Sequence, residues 1–509
     1  MENKLISPSD VTPTNFLKSE LLKSKTGIDG LDDITNGGIP KNRPTLVVGA
    51  PGTGKTVLSM QYIVNGIILY NEPGVYLTFE EKTDELQINL SSMGLDLNKH
   101  IEQNKLYLER LHVDRNEIQQ SGKFSIDGLF VRLGLAIDKV KATRVVLDSL
   151  DTLFAGFDNG ILRSELKRLF FWLKDRKVTA IITAEAGDVF LSRFGLEELV
   201  ADCVLELNIR VINQIATRRL RIVKYRGSFH STNEFPFIID ESGITIFPEV
   251  GETPQIIVSS ERISSGIKAI DEMLENKGFY VGSSILITGS AGVGKTSVAA
   301  SFANNASKSA MITLYCAFEE SPSQIIRNMK TIGLDLDQQV KSGNLHFYFS
   351  IPSLFNIELH FIAIKKMIKK INASVVILDP VTKIMEEDIN SDMRSMFVRF
   401  IDYLKMEQIT VMIAATVTPN ALDLVQGNEG VSSMADTCIM IESKQENGFH
   451  NKILYIVKSR GINNSKKEFE FDISNEGIKI APIILKSKIR NGYLDNSSKI
   501  SKELKSSVL

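Results

Sequence analysis

The sequence predicts an α/β protein of two tandem domains, each a mainly parallel twisted sheet flanked by helices. Three observations predict it: an internal duplication, an alternation of short apolar strands with helix-patterned segments, and a glycine-rich loop after an apolar strand in each copy. At 509 residues the chain is too long for one ordinary core and suits two domains of roughly 200–250 residues each.

The duplication is read from matched segments in one order. TGIDGLDDITNGGIP (Thr26–Pro40) returns as SGIKAIDEMLENKGFY (Ser265–Tyr280), GAPGTGKT (Gly49–Thr56) as GSAGVGKT (Gly289–Thr296), and LTFEEK (Leu77–Lys82) as CAFEES (Cys316–Ser321). MGLDL (Met93–Leu97) matches IGLDL (Ile332–Leu336), VVLDSL (Val145–Leu150) matches VILDPV (Val376–Val381), and VKYRG (Val223–Gly227) matches VKSRG (Val457–Gly461). The separation stays near roughly 235 residues, far above the period of a solenoid, so each copy is a whole domain. The expected domains are residues 17–248 and 262–482, joined by a polar linker over 249–261. A basic, serine-rich tail over 483–509 reads as a flexible terminus.

Within the first copy, PTLVVGA (Pro44–Ala50) is a buried strand entering the glycine loop. GVYLTF, KLYLERL, RVVLDS and TAIITAEA supply further strands, and GLFVRLGLAIDKVKA (Gly128–Ala142) has helical spacing. Each copy closes in a strand-rich stretch, with a hairpin signal at DESG (Asp240–Gly243).

The chemistry begins with Gly-x-x-x-x-Gly-Lys-Thr after a strand, present twice in register. Such a loop converges backbone N–H groups on phosphates at a helix N-terminus. The nucleotide-binding candidates here are Gly49, Gly52, Thr53, Gly54, Lys55, Thr56 and Val57, with Gly289, Gly292, Val293, Gly294, Lys295, Thr296 and Ser297 in the second copy. Lys55 and Lys295 should reach the β- and γ-phosphates of ATP, and the hydroxyls of Thr56 and Thr296 should hold Mg²⁺. Asp148 and Asp379 end apolar strands where a carboxylate that orients the metal belongs. The pairs Glu80-Glu81 and Glu319-Glu320 offer a carboxylate to take the proton of an attacking water or hydroxyl. Either member of a pair could be the base; Glu319 is also counted with the metal. Lys224, Tyr225 and Arg226, with Lys458, Ser459 and Arg460, come late in each copy, where a cation suits the γ-phosphate of a neighbouring subunit.

The balance of 59 Lys+Arg against 61 Asp+Glu argues against a chain devoted to a nucleic-acid backbone. Neither zinc spacing nor a helix-turn-helix appendage is present. Cys203, Cys316 and Cys438 lack metal-ligand spacing and read as buried reduced thiols. The beginning of the sequence lacks a basic region followed by an apolar core, and no apolar run approaches the roughly 18–20 residues of a membrane span. The expected compartment is the cytoplasm.

Taken together, the motifs GAPGTGKT/GSAGVGKT, FEE/FEE, LDSL/LDPV and KYRG/KSRG resemble the KaiC family over about residues 17–482. The resemblance implies RecA-like domains in a double-ring homohexamer with Mg·ATP at each subunit interface. It also implies slow ATP hydrolysis by the first domain, self-phosphorylation by the second, a timing or signalling role, and a KaiB-like or other signalling protein as partner. Ser228 and His230, in RGSFH, join the nucleotide contacts of the first copy on the same basis.

Aligned on Asp202 and Asp436, EELVAD (Glu197–Asp202) faces VSSMAD (Val431–Asp436). The phosphoacceptor pair that the resemblance implies therefore falls on Ser432 and Ser433, where the first copy has no hydroxyl. Two departures stand out: Pro380 follows Asp379 where the resemblance suggests a small hydroxyl residue, and RGINN in the second copy lacks the histidine of RGSFH. A DNA-dependent ATPase related to recombinases or helicases, or a scaffold held together by ATP, are the alternative classes.

Overall fold

The computed structural model describes residues 21–111, 126–154, 159–187, 191–193, 195, 200–212, 215–247, 259–351, 357–385, 391–416, 434–446 and 449–483. Ser432 and Ser433, most of the linker and nearly all of the tail lie outside the described residues. By residue contacts the chain forms two compact units. One holds Met1–Val258 with Tyr348–Ala373 and Lys383–Glu407; the other holds Ser259–Phe347, Ser374–Thr382 and Gln408–Leu509.

Each copy carries a nine-stranded sheet. The first runs Gly243–Ile246, Glu234–Asp240, Ile215–Tyr225, Cys203–Ile212, Pro44–Gly49, Thr179–Glu185, Arg144–Asp148, Gly74–Thr78, Leu106–Arg110. From Cys203–Ile212 to Leu106–Arg110 neighbouring strands are parallel, and the other three add antiparallel pairs. The second sheet repeats the order: Gly477–Pro482, Phe469–Ser474, Phe449–Ser459, Thr437–Glu446, Ser284–Gly289, Thr410–Thr416, Val375–Asp379, Thr313–Ala317, Leu345–Phe349. The expected hairpin at Asp240–Gly243 is present, with those two residues paired across the turn.

The central strands are buried along nearly their whole length because helices cover both faces. In the first sheet Val47, Tyr76, Val146 and Ile181 pack on one face with Leu58, Tyr62 and Ile63 of the helix Lys55–Tyr70. Leu46, Val48, Val75, Leu77 and Leu147 pack on the other with Leu133 and Ile137 of the helix Asp127–Val140. In the second, Ile285, Ile287, Tyr315 and Ile377 meet Val298 and Phe302 of the helix Lys295–Lys308. The three cysteines are buried free thiols, and burial pushes Cys203 up to about 12. No described helix is long and apolar enough to cross a membrane.

One polar cluster anchors the first sheet. Arg144 opens the strand that ends in Asp148, is 1% exposed, and donates to the carbonyls of Tyr62 (2.8 Å) and Lys25 (2.7 Å). Its charge is met by Glu72 at 2.6 Å and by the faces of Tyr62 and Tyr70. A buried guanidinium is tolerated only because nearly every donor has a partner. Arg144→Met should strand Glu72 and the two carbonyls, lowering the unfolding free energy by roughly 2–4 kcal/mol; denaturant titration checks this.

Candidate nucleotide sites

Parallel strands bring the candidate residues together at one edge. Gly49, Thr78 and Asp148 end adjacent or nearby strands of the first sheet, as Gly289, Ala317 and Asp379 do in the second. Helices Lys55–Tyr70 and Lys295–Lys308 start directly after the glycine loops, with Gly54 and Gly294 as their N-caps at φ 107° and 112°. A Cβ there would stand 2.6 Å from Ile239 Cδ1 or 2.5 Å from Ile473 Cδ1. At Gly52 and Gly292 nothing lies within 4 Å of where a Cβ would be. An open backbone concavity at a helix N-terminus fits a phosphate chain.

Lys55 Nζ donates to the carbonyls of Gly49 (2.7 Å) and Ala50 (3.2 Å), and Lys295 Nζ to those of Gly289 (2.9 Å) and Ser290 (2.7 Å). Both ammonium groups are thus held over the loop. Burial pulls the pKa of Lys295 down, against the attraction of Asp379 and Glu319. Thr53 is buried, with its hydroxyl on the Ala50 carbonyl at 2.8 Å. Val293 and Ser297 are also buried, and Val57 packs against the core.

Asp148 accepts three hydrogen bonds, from Thr56 Oγ1 (2.9 Å), Tyr76 OH (2.6 Å) and Thr183 Oγ1 (2.5 Å). Asp379 accepts from Thr296 Oγ1 (3.3 Å) and Tyr315 OH (2.5 Å). Burial raises the pKa of Asp379, opposed by those bonds and by Lys295. The peptide bond after each aspartate is cis. A hydroxyl beside a carboxylate is a hard oxygen pair that suits a divalent cation which keeps phosphate and water as its other ligands. Among the described residues no three His, Cys, Asp or Glu side chains gather as a metal-binding group.

The carboxylate pairs lie in the turns between the strands Gly74–Thr78 or Thr313–Ala317 and the next helices. Phe79 N and Phe318 N donate to the carbonyls of Asp148 (2.8 Å) and Asp379 (3.0 Å), tying each pair to its aspartate. Glu80 Oε1 accepts from Ser149 Oγ (2.7 Å) and Thr152 Oγ1 (2.6 Å). The pKa of Glu81 is raised, chiefly by burial and then by the charges of Asp148 and Glu80. Glu320 accepts from Asn328 Nδ2 at 2.9 Å, while Glu319 is exposed.

The late cations lie elsewhere. Gly49 pairs with Leu207 and Leu207 with Leu220, whereas Thr45 pairs with Cys203 and Cys203 with Tyr225. Lys224, Tyr225 and Arg226 therefore sit at the other end of the sheet, about 13 Å along the strands from their own glycine loop at ~3.3 Å per residue. The second copy repeats this through Ile285, Thr437 and Ser459. Arg226 N donates to the Asp202 carbonyl and Arg460 N to that of Asp436, each at 2.8 Å; the guanidinium groups lie 3.6 and 3.7 Å from the same carboxylates. Tyr225 is buried with its OH on the Gly38 carbonyl at 2.8 Å. Ser459 Oγ pairs with Thr437 Oγ1 at 2.8 Å. Ser228 accepts from Lys23 Nζ at 2.8 Å, and His230 Nδ1 lies 3.4 Å from the Ser228 carbonyl. Arg226 also lines a cavity of about 220 Å³ with Arg163, Lys167, Lys174, Phe171 and Val200.

Sequence reasoning did not single out Tyr76, Tyr315, Thr183, Ser149 or Thr152. The tyrosines could have been found, because each stands at the same place before Phe-Glu-Glu in both copies. Arg163 and Lys167 belong to no matched motif.

This fold and these loops define a tandem nucleotide-binding protein of the RecA-like P-loop class. A family model described as "ATPase: KaiC" matches residues 24–251 and again 263–484. The chain is 43% identical over 466 residues to the circadian clock protein KaiC2 of Synechocystis sp., covering 91% of this chain and 82% of that one. It is 34% identical over 477 residues to the circadian clock oscillator protein KaiC of Thermostichus vulcanus, covering 92% and 91%. With the Synechococcus elongatus protein of that name the figure is 33% over 482 residues, covering 93% and 92%. The chain belongs to the KaiC family of ATPases.

Each loop lysine should govern its own site. Lys55→Ala and Lys295→Ala are each expected to remove one of two bound nucleotides per chain, which equilibrium dialysis with labelled ATP counts.

Proposed function

We propose that the chain works as a homohexameric, Mg²⁺-dependent ATPase and serine autokinase in the cytoplasm, serving as a timing or signalling switch. The first domain, 17–248, is the hydrolytic half, and the second, 262–482, phosphorylates Ser432 and Ser433. The observation that carries this reading is the position of Lys224/Arg226 and Lys458/Arg460 at the sheet end opposite their own loops. Cations placed there lie away from the phosphates of their own loop, which supports nucleotide held between protomers of a ring.

The serine pair lies outside the described residues and enters this reading through the sequence. Met434 to Asp436, the described residues that follow it, lead into the strand Thr437–Glu446, with Asp436 N donating to the Ser284 carbonyl and Arg460 N to the Asp436 carbonyl, each at 2.8 Å. Bound Mg·ATP supplies the γ-phosphoryl group for hydrolysis or transfer. Lys55 and Lys295 bind its phosphates, Thr56 and Thr296 with Asp148 and Asp379 orient the cation, and Glu319 joins the second set. Glu80 or Glu81 takes the proton of a water; Glu319 or Glu320 takes that of Ser432 or Ser433. Arg226 and Arg460 of a neighbouring protomer balance the charge of the moving group. A phosphoserine at a subunit boundary adds about −1.5 to −2 charge, enough to bias ring packing and to signal to a KaiB-like or other partner.

The relatives named as circadian clock proteins favour the timing role. Mass spectrometry after incubation with Mg·ATP should locate phosphate on the peptide containing Ser432 and Ser433. The Glu319→Gln/Glu320→Gln variant should slow its appearance by about 100-fold or more. Full-rate labelling of that variant, or no label on the serine pair, would contradict the autokinase assignment.

A further inference from the structure

The two copies share a phosphate cradle but differ in the hydroxyl groups around their carboxylates. In the first copy Ser149 and Thr152 both donate to Oε1 of Glu80, at 2.7 and 2.6 Å, and Thr78 Oγ1 accepts from Glu80 N at 3.3 Å. A fourth hydroxyl, Thr183, donates to Asp148. Sheet register, the paired bonds from Phe79 N and Phe318 N, and those from Glu185 N to Asp151 and Thr416 N to Thr382 fix the equivalent positions in the second copy. They are Ala317 for Thr78, Pro380 for Ser149, Lys383 for Thr152 and Ala414 for Thr183. None carries a hydroxyl.

We infer that Ser149 and Thr152 are positioning residues that make Glu80 the hydrolytic base, and that their replacement by Pro380 and Lys383 suppresses hydrolysis in the second copy. This rests on the ATPase reading above.

Two donors on one oxygen fix the carboxyl plane and leave Oε2, which has no hydrogen bond among the described residues, as the proton acceptor. Glu80 Oε2 takes a proton from the water whose oxygen bonds to the γ-phosphorus. The bond from that phosphorus to ADP breaks, and its electron pair leaves on ADP. A carboxylate that must collect a proton from a loosely held water gains most from such orientation. The two hydrogen bonds also cross from one strand end to the next, since Glu80 follows Gly74–Thr78 while Ser149 and Thr152 follow Arg144–Asp148. The base is thereby locked to the aspartate that orients the cation.

In the second copy Glu319 lacks both donors. A serine hydroxyl delivered on its own backbone needs less help from the base to reach its position than a free water does. Loss of the clamp therefore penalises hydrolysis more than transfer.

The test uses the full chain and phosphate release under saturating ATP. Ser149→Ala/Thr152→Ala is expected to lower kcat about tenfold or more while KM for ATP changes less than about twofold. Thr152→Ser should keep most of the rate and Thr152→Val should lose it, a contrast that survives if the double variant folds poorly. The reverse exchange, Pro380→Ser/Lys383→Thr on a Glu80→Gln/Glu81→Gln background, should raise phosphate release severalfold over that background. An unchanged kcat in both Ser149→Ala/Thr152→Ala and Thr152→Val would overturn the inference while leaving the ATPase reading intact. Absence of phosphate release from the unaltered chain would instead overturn that reading.

Discussion

Both sites depend on one constraint: parallel strands of a twisted sheet must end together. Gly49, Thr78 and Asp148 belong to different strands, yet hydrogen-bonded register delivers them to one edge. The glycine loop then turns into a helix whose N-terminus faces the same space, and Lys55 is held across the loop carbonyls. Shift one strand by a residue and its whole side-chain set changes face. Thr56 would then lose Asp148, and Glu80 would lose the hydroxyls behind it. The buried Arg144 cluster secures the far end of the strand that carries Asp148, so a stability element and a site element share one strand.

The same sheet separates the two kinds of charge. Carboxylates and P-loop lysines collect at one end, while Arg226 and Arg460 are fixed by Asp202 and Asp436 at the other. A single copy thus keeps these cations away from its own glycine loop. On the ring proposed above, hydrolysis or transfer is a property of assembled protomers.

Much of this was legible in the sequence because the duplication doubled every signal. The strands entering the loops, the helix after Ile126 and the Asp240–Gly243 hairpin follow from local patterning. Lys55, Asp148, Glu80 and Arg226 gain meaning from their second appearance. The hydroxyl clamp was not legible, since Thr78, Ser149, Thr152 and Thr183 come from three strand ends and their following turns. Pro380 stood out as a departure, but its consequence needed the Ser149–Glu80 contact. The opposed placement of Arg226 and its own P-loop likewise required the antiparallel return of the strand Ile215–Tyr225, which no motif encodes. Ser432 and Ser433 lie outside the described residues, and their proposed role comes from the sequence alone.

The central claim is a division of labour between two similar cradles. Its most direct test follows γ-labelled ATP in rapid-quench experiments on two variants. Glu80→Gln/Glu81→Gln should abolish most free phosphate release yet still label the protein, and Glu319→Gln/Glu320→Gln should do the reverse. Equal loss of both products in both variants would contradict the claim.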